Sequence, residues 1–222
     1  MVTIWGAVLS FALVAGLLTM IPGLDTVLVL RSAIAHGRRP AFATALGIMT
    51  GCLAWGVAAA AGISALLTAS TIGYTALRVV GAGYLLWLGG RMVASAVRPT
   101  RRPSAESAAV EAQLPVAPGA GDPAGDLWRS WRRGVVTNLL NPKVGAFYVA
   151  MLPQFMPEHV GPLAMGLLLA LVHDLEGMLW FTVIILGFGR IRPLLNRATG
   201  RRVVDVIAGT ALIGFGLRLG LL

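Results

Sequence analysis

The chain has 222 residues, of which 57% are hydrophobic and only 12% are charged. A water-soluble domain of this size cannot bury that much apolar surface, so the composition is typical of an integral membrane protein. A formal net charge of +9 would suggest nucleic-acid binding in a soluble protein, but here the basic residues lie at the ends of apolar runs, where they orient membrane spans. We therefore expect the lipid bilayer, and no nucleic acid, as a partner.

Six apolar runs follow one another, and each is long enough for a bilayer crossing, which takes roughly 20 residues. They cover residues 4–35, 41–69, 72–97, 134–156, 161–189 and 203–222. The first run has no positively charged segment ahead of it, so we predict a membrane span rather than a removable signal. Residues 98–128 are rich in Pro, Ala, Gly and Ser, which predicts a disordered linker. The predicted fold is all-α and integral to the membrane, with residues 1–97 and 129–222 as its two membrane units.

Arginines indicate the orientation of these spans. They concentrate in the connections after the first, third and fifth runs, whereas the connections near Ser70 and His159 contain no Lys or Arg. The positive-inside rule places arginine-rich connections in the cytoplasm. We therefore predict a multi-pass protein of the inner (cytoplasmic) membrane with a cytoplasmic linker and both termini outside.

The two halves of the chain carry matching interruptions, Pro22 in the first run and Pro142 in the fourth. Each half has three spans, an odd number, so the second half must be inverted relative to the first, as in many secondary transporters. Counted from Arg38 and Arg133, both prolines lie roughly 14–24 Å deep, near the middle of the membrane. We predict that proline breaks the first and fourth helices and that the freed backbone groups face protein or a watery cavity. The alternative is that the prolines only kink helices for packing.

Ionisable side chains at this depth are expensive, about 2.5–3.5 kcal/mol each on an insertion scale, and usually line pathways or pair. Asp25 and Lys143 follow the two breaks, so they could neutralise each other or bind the opposite charges of a zwitterionic substrate; Asp25 could instead only cap a helix. In the fifth run Asp174, beside His173, could exchange a proton during antiport; alternatively, Asp174 and Glu176 could be buried polar groups bonded to neighbouring helices without any change of protonation. The residues predicted to line the substrate and coupling pathway are Pro22, Gly23, Asp25, Arg31, Asn141, Pro142, Lys143, His173, Asp174 and Glu176.

Gly47 and Gly51 form a small-xxx-small pattern in the second run. Such a pattern lets two helix backbones approach closely. We predict helix packing through this face, either within the chain or between two copies in a homodimer.

The first half carries Pro22–Arg31 followed by Gly37-Arg38-Arg39 and Ala45-Leu46-Gly47, and the second half carries Asn138–Lys143 followed by Leu152–Phe155. These stretches resemble the two signatures of the LysE/RhtB family of amino-acid exporters. The resemblance covers nearly the whole chain except the linker.

The resemblance implies a six-span secondary transporter that exports amino acids or related small polar metabolites, driven by protons, from two inverted three-helix repeats. Residues 209–217 are also similar to the family's glycine-containing last span. The chain departs from the family pattern at Leu24, where a second proline is common, which implies a differently shaped break and substrate pocket. The exported compound does not follow from the resemblance, because the family exports diverse amino acids.

Two other functions match parts of the sequence. A cation or metal-ion exporter would use the carboxylate and imidazole groups of His173–Glu176, but Asp25 is the only obvious further ligand. A membrane-embedded hydrolase would need a nucleophile with a base, or a metal held by spaced histidines, and no such motif occurs. We therefore expect a transporter rather than an enzyme, with no resident metal or cofactor.

Overall fold

The computed structural model describes residues 3–21, 23–97, 123–157 and 160–195, and the pairs 206–207, 209–210, 213–214 and 216–217. Every regular element in this part of the chain is helical, which confirms the predicted helical class. The helices are α1 (Ile4–Met20), α2 (Leu24–His36), α3 (Arg38–Ala69), α4 (Thr71–Val97), α5 (Pro123–Leu139), α6 (Pro142–Met151) and α7 (Pro162–Leu195), and a 3₁₀ turn over Leu152–Phe155 follows α6.

Several of these helices are long and apolar enough to cross a bilayer. α3 and α7 qualify alone, over Arg38–Ile63 and Pro162–Gly187. The pair α1 and α2 and the pair made by α5 and α6 qualify together, with bends of 54° and 56° at their short breaks. The described residues therefore hold two candidate spans, or four when each bent pair counts as one. α4, which covers the third apolar run, is not among these candidates, and the sixth run lies mostly outside the described residues, so the count of six stays a prediction.

One predicted boundary is wrong. α5 begins at Pro123, so residues 123–128 of the predicted linker are helical. The helix continues into residues 127–133, where apolar residues and arginines alternate with helical spacing, and Trp128 stacks on Trp131 with 4.6 Å between ring centroids. α7 continues to Leu195, beyond the apolar run that ends at residue 189, but its candidate membrane span, Pro162–Gly187, agrees with that run. Residues 98–122 of the linker lie outside the described residues.

α3 is the central helix and packs most extensively against α5 and α7. Glycines bring α3 and α5 into backbone contact: a Cβ atom on Gly47 would collide with the carbonyl oxygen of Trp131, and one on Gly134 with that of Thr44. A Cβ on Gly51 would lie 2.6 Å from Oδ1 of Asn138. The face that carries Gly47 and Gly51 is therefore filled by α5 of the same chain.

Contacts between helices also set their directions. α5 runs parallel to α3, because Gly47 lies against Trp131 and Gly51 against Asn138. α7 runs antiparallel to α3, because Gly56 lies against Ala170 and Met49 against Gly177. The arginine-bearing start of α3, start of α5 and end of α7 therefore share one end of the helix bundle, called here the arginine end.

Candidate functional site

The first break separates α1 from α2. The backbone N–H of Ile21 donates to the carbonyl of Leu18 at 3.2 Å, a tight turn that ends α1. α2 then begins directly after Gly23, while Pro22 lies outside the described residues. Asp25 stands in the first turn of α2, where the positive end of the helix dipole favours a carboxylate.

The second break separates α5 from α6 and has the same local form. The backbone N–H of Asn141 donates to the carbonyl of Asn138 at 3.0 Å, and α5 cannot continue because Pro142 has no N–H to donate. The side-chain Oδ1 of Asn141 accepts from the backbone N–H of Lys143 at 3.1 Å and so caps α6. In each half, the residue before the proline closes a turn onto the residue three positions earlier.

Side chains from the second break reach the acid of the first break. Nδ2 of Asn138 donates to Oδ2 of Asp25 at 2.9 Å, and Nδ2 of Asn141 donates to the same oxygen at 3.3 Å. Because Asn141 also caps α6 at Lys143, this one side chain connects the segment that carries the acid with the segment that carries the base.

The base of the second break reaches back to the first. Nζ of Lys143 lies 3.5 Å from the carbonyl oxygen of Leu18 and 3.4 Å from that of Ile21, at the end of α1. This end carries the negative pole of the helix dipole, which favours a cation. Each break therefore contributes one charged side chain, and each charge lies at a helix terminus of opposite polarity.

A cavity of about 50 Å³ lies where the two breaks meet, between α1, α2, α3, α6 and α7. Its polar lining includes Asp25, Cys52, Asn141, Lys143 and His173. Its apolar walls are formed by Leu18, Ile21, Ile48, Met49, Val144 and Phe181. At roughly 10–15 Å³ per water molecule, this space accommodates a few waters. It is a polar pocket at the level of two interrupted helices.

The charges that line this cavity are one acid and one base, Asp25 and Lys143. Such a lining matches a ligand that carries both signs of charge. Across the part of the chain that the structure describes, no three His, Cys, Asp or Glu side chains converge as ligands of one metal ion would.

Some predicted site residues lie away from the cavity. Arg31 is half-buried further along α2 and is not part of the lining, and Pro142 is exposed on the other side of its break. Asp174 and Glu176 are half-buried on α7 and do not line the cavity either. Oε1 of Glu176 instead faces α1, 3.5 Å from where a Cβ of Gly16 would stand. The structure thus brings together Gly23, Asp25, Asn141, Lys143 and His173.

Three polar side chains at the site were absent from the sequence-based set. Asn138 is completely buried at the end of α5. Its Nδ2 also donates to Sγ of Cys52 at 3.3 Å, so the only cysteine of the chain belongs to the polar cluster. The hydroxyl of Tyr148 lies 3.0 Å from Nδ1 of His173. A polar asparagine inside an apolar run is a sequence signal that could have identified Asn138 as a site residue. Tyr148 has no such signal, because an aromatic residue in an apolar run is usually a packing residue.

An aromatic cluster closes the cavity on the side away from the arginine end. Phe11 packs edge-on against Phe155, with 5.5 Å between ring centroids, and lies 5.9 Å from Phe147. Phe147 in turn lies 5.6 Å from His173, which is bonded to Tyr148. All five side chains are buried. The cavity is therefore separated from one end of the bundle by aromatic rings in edge-on and tilted contact.

Apolar helices with two matched breaks around a polar cavity define a membrane protein of the transporter class. The chain matches the LysE type translocator family over residues 16–222 and belongs to that family, which confirms the resemblance of its two signatures. It is 30% identical to the threonine efflux protein of Escherichia coli (strain K12) over 213 residues, 95% of this chain and 96% of the relative. It is 27% identical to the leucine efflux protein of Enterobacter sp. (strain 638) over 212 residues, 95% and 93% of the two chains. It is also 27% identical to YrhP, an uncharacterized membrane protein of Bacillus subtilis (strain 168), over 215 residues, 97% and 99% of the two chains. No solved structure matches the chain.

Proposed function

We propose that the protein is a secondary transporter that exports amino acids or related small polar metabolites across the cytoplasmic membrane. The observation that carries this proposal is the pair of opposite charges, Asp25 and Lys143, lining one cavity at two broken helices. An amino acid in water carries one ammonium and one carboxylate group, so each end would bind the side chain of opposite charge. The efflux relatives support the same substrate class.

The proposal includes two inverted three-helix repeats that form six spans. The two breaks support it, because their bends of 54° and 56° are nearly equal and their closing turns have the same hydrogen-bond pattern. In this arrangement the arginine end faces the cytoplasm, the linker is cytoplasmic and both termini are outside. The cavity would then load from the cytoplasm, and the aromatic cluster would be the barrier toward the outside.

Proton coupling through α7 is the last part of the proposal. His173 lines the cavity, whereas Asp174 and Glu176 lie off it, so the proton and the substrate would bind at different places on one helix. Glu176 faces the glycine surface of α1 at Gly16. Gain or loss of its charge would change the contact between α1 and α7, and α1 also carries part of the cavity wall.

Replacing Asp174 by Asn or Glu176 by Gln is expected to lower efflux driven by a proton gradient about tenfold. Exchange of labelled for unlabelled substrate should persist, because exchange needs no net proton movement. Both rates can be measured in proteoliposomes with and without an imposed pH gradient. Thr182→Val is the matched control, because Thr182 lies on the same helix and its hydroxyl donates to the backbone carbonyl of Met178 within that helix, 2.7 Å away. Unchanged gradient-driven efflux in both variants would remove the α7 carboxylates from the coupling mechanism.

The test of the function itself is efflux from cells loaded with dipeptides that together supply all amino acids. Cells with the protein, without it and with Lys143→Ala are compared. We expect selective efflux of one or a few amino acids that an uncoupler abolishes and that the variant lacks. Equal efflux from all three cell types, for every amino acid, would overturn the proposal.

A further inference from the structure

Asn138 contacts the candidate site from behind the cavity wall. Its side chain is 0% exposed, lies at the end of α5 and does not line the cavity. Nδ2 nevertheless reaches Oδ2 of Asp25 on α2 and Sγ of Cys52 on α3. A single carboxamide thus joins three helices at the point where the two breaks meet.

We propose that Asn138 is a positioning residue for transport: it orients the carboxylate of Asp25 for the substrate without touching the substrate. This inference rests on the proposed function. Asp25 stands beside a break, where its own helix provides support on one side only. Nδ2 of Asn138 donates to Oδ2 of Asp25 at 2.9 Å, closer than Nδ2 of Asn141 at 3.3 Å. A carboxylate that is held in place before the substrate arrives binds it with less loss of conformational entropy.

The neighbouring helix is shaped to seat this side chain. A Cβ on Gly51 would lie 2.6 Å from Oδ1 and 2.8 Å from Cβ of Asn138. Only glycine at position 51 therefore leaves room for the carboxamide against α3. The two glycines of the small-xxx-small pattern therefore have different roles. Gly47 lets the backbone of α5 approach α3, and Gly51 leaves space for the side chain of Asn138, which bonds to Asp25.

This role can be tested by replacing Asn138 with a residue whose ability to donate a hydrogen bond depends on pH. Asn138→Asp has nearly the shape of the native side chain. When protonated, the introduced carboxyl group has an O–H that can donate to Asp25; when ionised, it has no donor and repels Asp25. Asn138→Leu keeps the approximate size and has no donor at any pH. The titratable groups near this position are Asp25 on α2, Cys52 on α3, Lys143 on α6, and His173 and Asp174 on α7.

The measurement is substrate exchange in proteoliposomes with the same pH on both sides, so that no proton gradient contributes. Each rate is divided by the wild-type rate at that pH, which cancels the titration of the native groups. For Asn138→Asp we expect a ratio near one in acid that falls about tenfold or more as the pH rises, chiefly through a higher KM. For Asn138→Leu we expect a low ratio at every pH. A ratio for Asn138→Asp that does not change with pH, or wild-type exchange by Asn138→Leu, would overturn the inference.

Alkylation of Cys52 gives a readout that does not require transport. Cys52 is the only cysteine and accepts a hydrogen bond from Asn138, so no other thiol reports. With N-ethylmaleimide we expect Asn138→Asp to react like the wild type in acid and several-fold more slowly at alkaline pH, because an ionised carboxylate beside Cys52 disfavours the thiolate, which is the form that reacts. The contact with Asp25 is read from the midpoint of this change, which we expect at a higher pH than in the double variant Asn138→Asp/Asp25→Asn, because the charge of Asp25 opposes ionisation of its neighbour. If the wild type moves no amino acid but the midpoint shifts in this way, the proposed function fails and the role of Asn138 in holding Asp25 stands. If the midpoint is the same with and without Asp25, the positioning role fails.

Discussion

Lys143→Ala and Asp25→Asn are each expected to lower the initial rate of amino-acid efflux at least about tenfold, while the protein remains in the membrane. Each change removes one of the two opposite charges that line the cavity. Truncating one partner of a buried charge pair costs about 2–5 kcal/mol in binding. A zwitterionic substrate would lose that partner in either variant. Efflux from dipeptide-loaded cells measures the rate, and immunoblotting of the membrane fraction measures the amount of protein.

The control for this pair is Arg31→Gln. Arg31 lies on the same helix as Asp25 and is also half-buried, but it does not line the cavity. We expect it to retain most of the wild-type rate. Near-normal efflux by both Lys143→Ala and Asp25→Asn, with equal protein in the membrane, would exclude the two charges as substrate ligands.

Local rules were enough to predict the two breaks. Proline lacks a backbone donor and clashes with the preceding turn, so a helix is expected to break or kink at Pro142. The structure ends α5 at Leu139 and starts α6 at Pro142. Ionisable residues in apolar runs are equally local signals, and they identified Asp25 and Lys143 before any contact was known.

Contacts between distant residues were beyond the same rules. Asn138 and Asp25 are 113 positions apart, and no local sequence pattern around either residue predicts the hydrogen bond between them. The hydroxyl of Tyr148 meets His173 across 25 positions and two helices, so it too could be found only in the folded chain.

Sequence adjacency alone does not show which of His173, Asp174 and Glu176 faces the cavity. Successive residues of a helix point about 100° apart, because 3.6 residues make one turn. His173, Gly177 and Phe181 share the cavity face, with spacings of four residues. Asp174 and Glu176 point elsewhere. A helical reading of the fifth run would have separated these residues from sequence alone.

Alanine at Gly47 or at Gly134 is expected to destabilise the fold more than any change at the cavity. A Cβ at either position would collide with a backbone carbonyl of the other helix, and would lie 3.0 Å from a backbone nitrogen, Val135 N for Gly47 and Ile48 N for Gly134. Backbone atoms cannot turn aside as a flexible side chain can, so α3 and α5 must separate. Overpacking of this kind costs typically about 1–3 kcal/mol. Packing contacts are also the main force that holds membrane helices together.

Thermal unfolding of the purified protein in detergent measures this effect, and the chain provides a matched control. Gly62 on α3 and Gly83 on α4 have nothing within 4 Å of a Cβ position and are exposed. The same replacement there should leave Tm unchanged or raise it, since glycine in a helix is about 0.5–1 kcal/mol less favourable than alanine. Opposite signs for one chemical change would locate the tight crossing at Gly47 and Gly134. Equal shifts of Tm at all four positions would mean that the backbones of α3 and α5 are not in contact. The space that Gly51 leaves for the side chain of Asn138 would then be excluded as well.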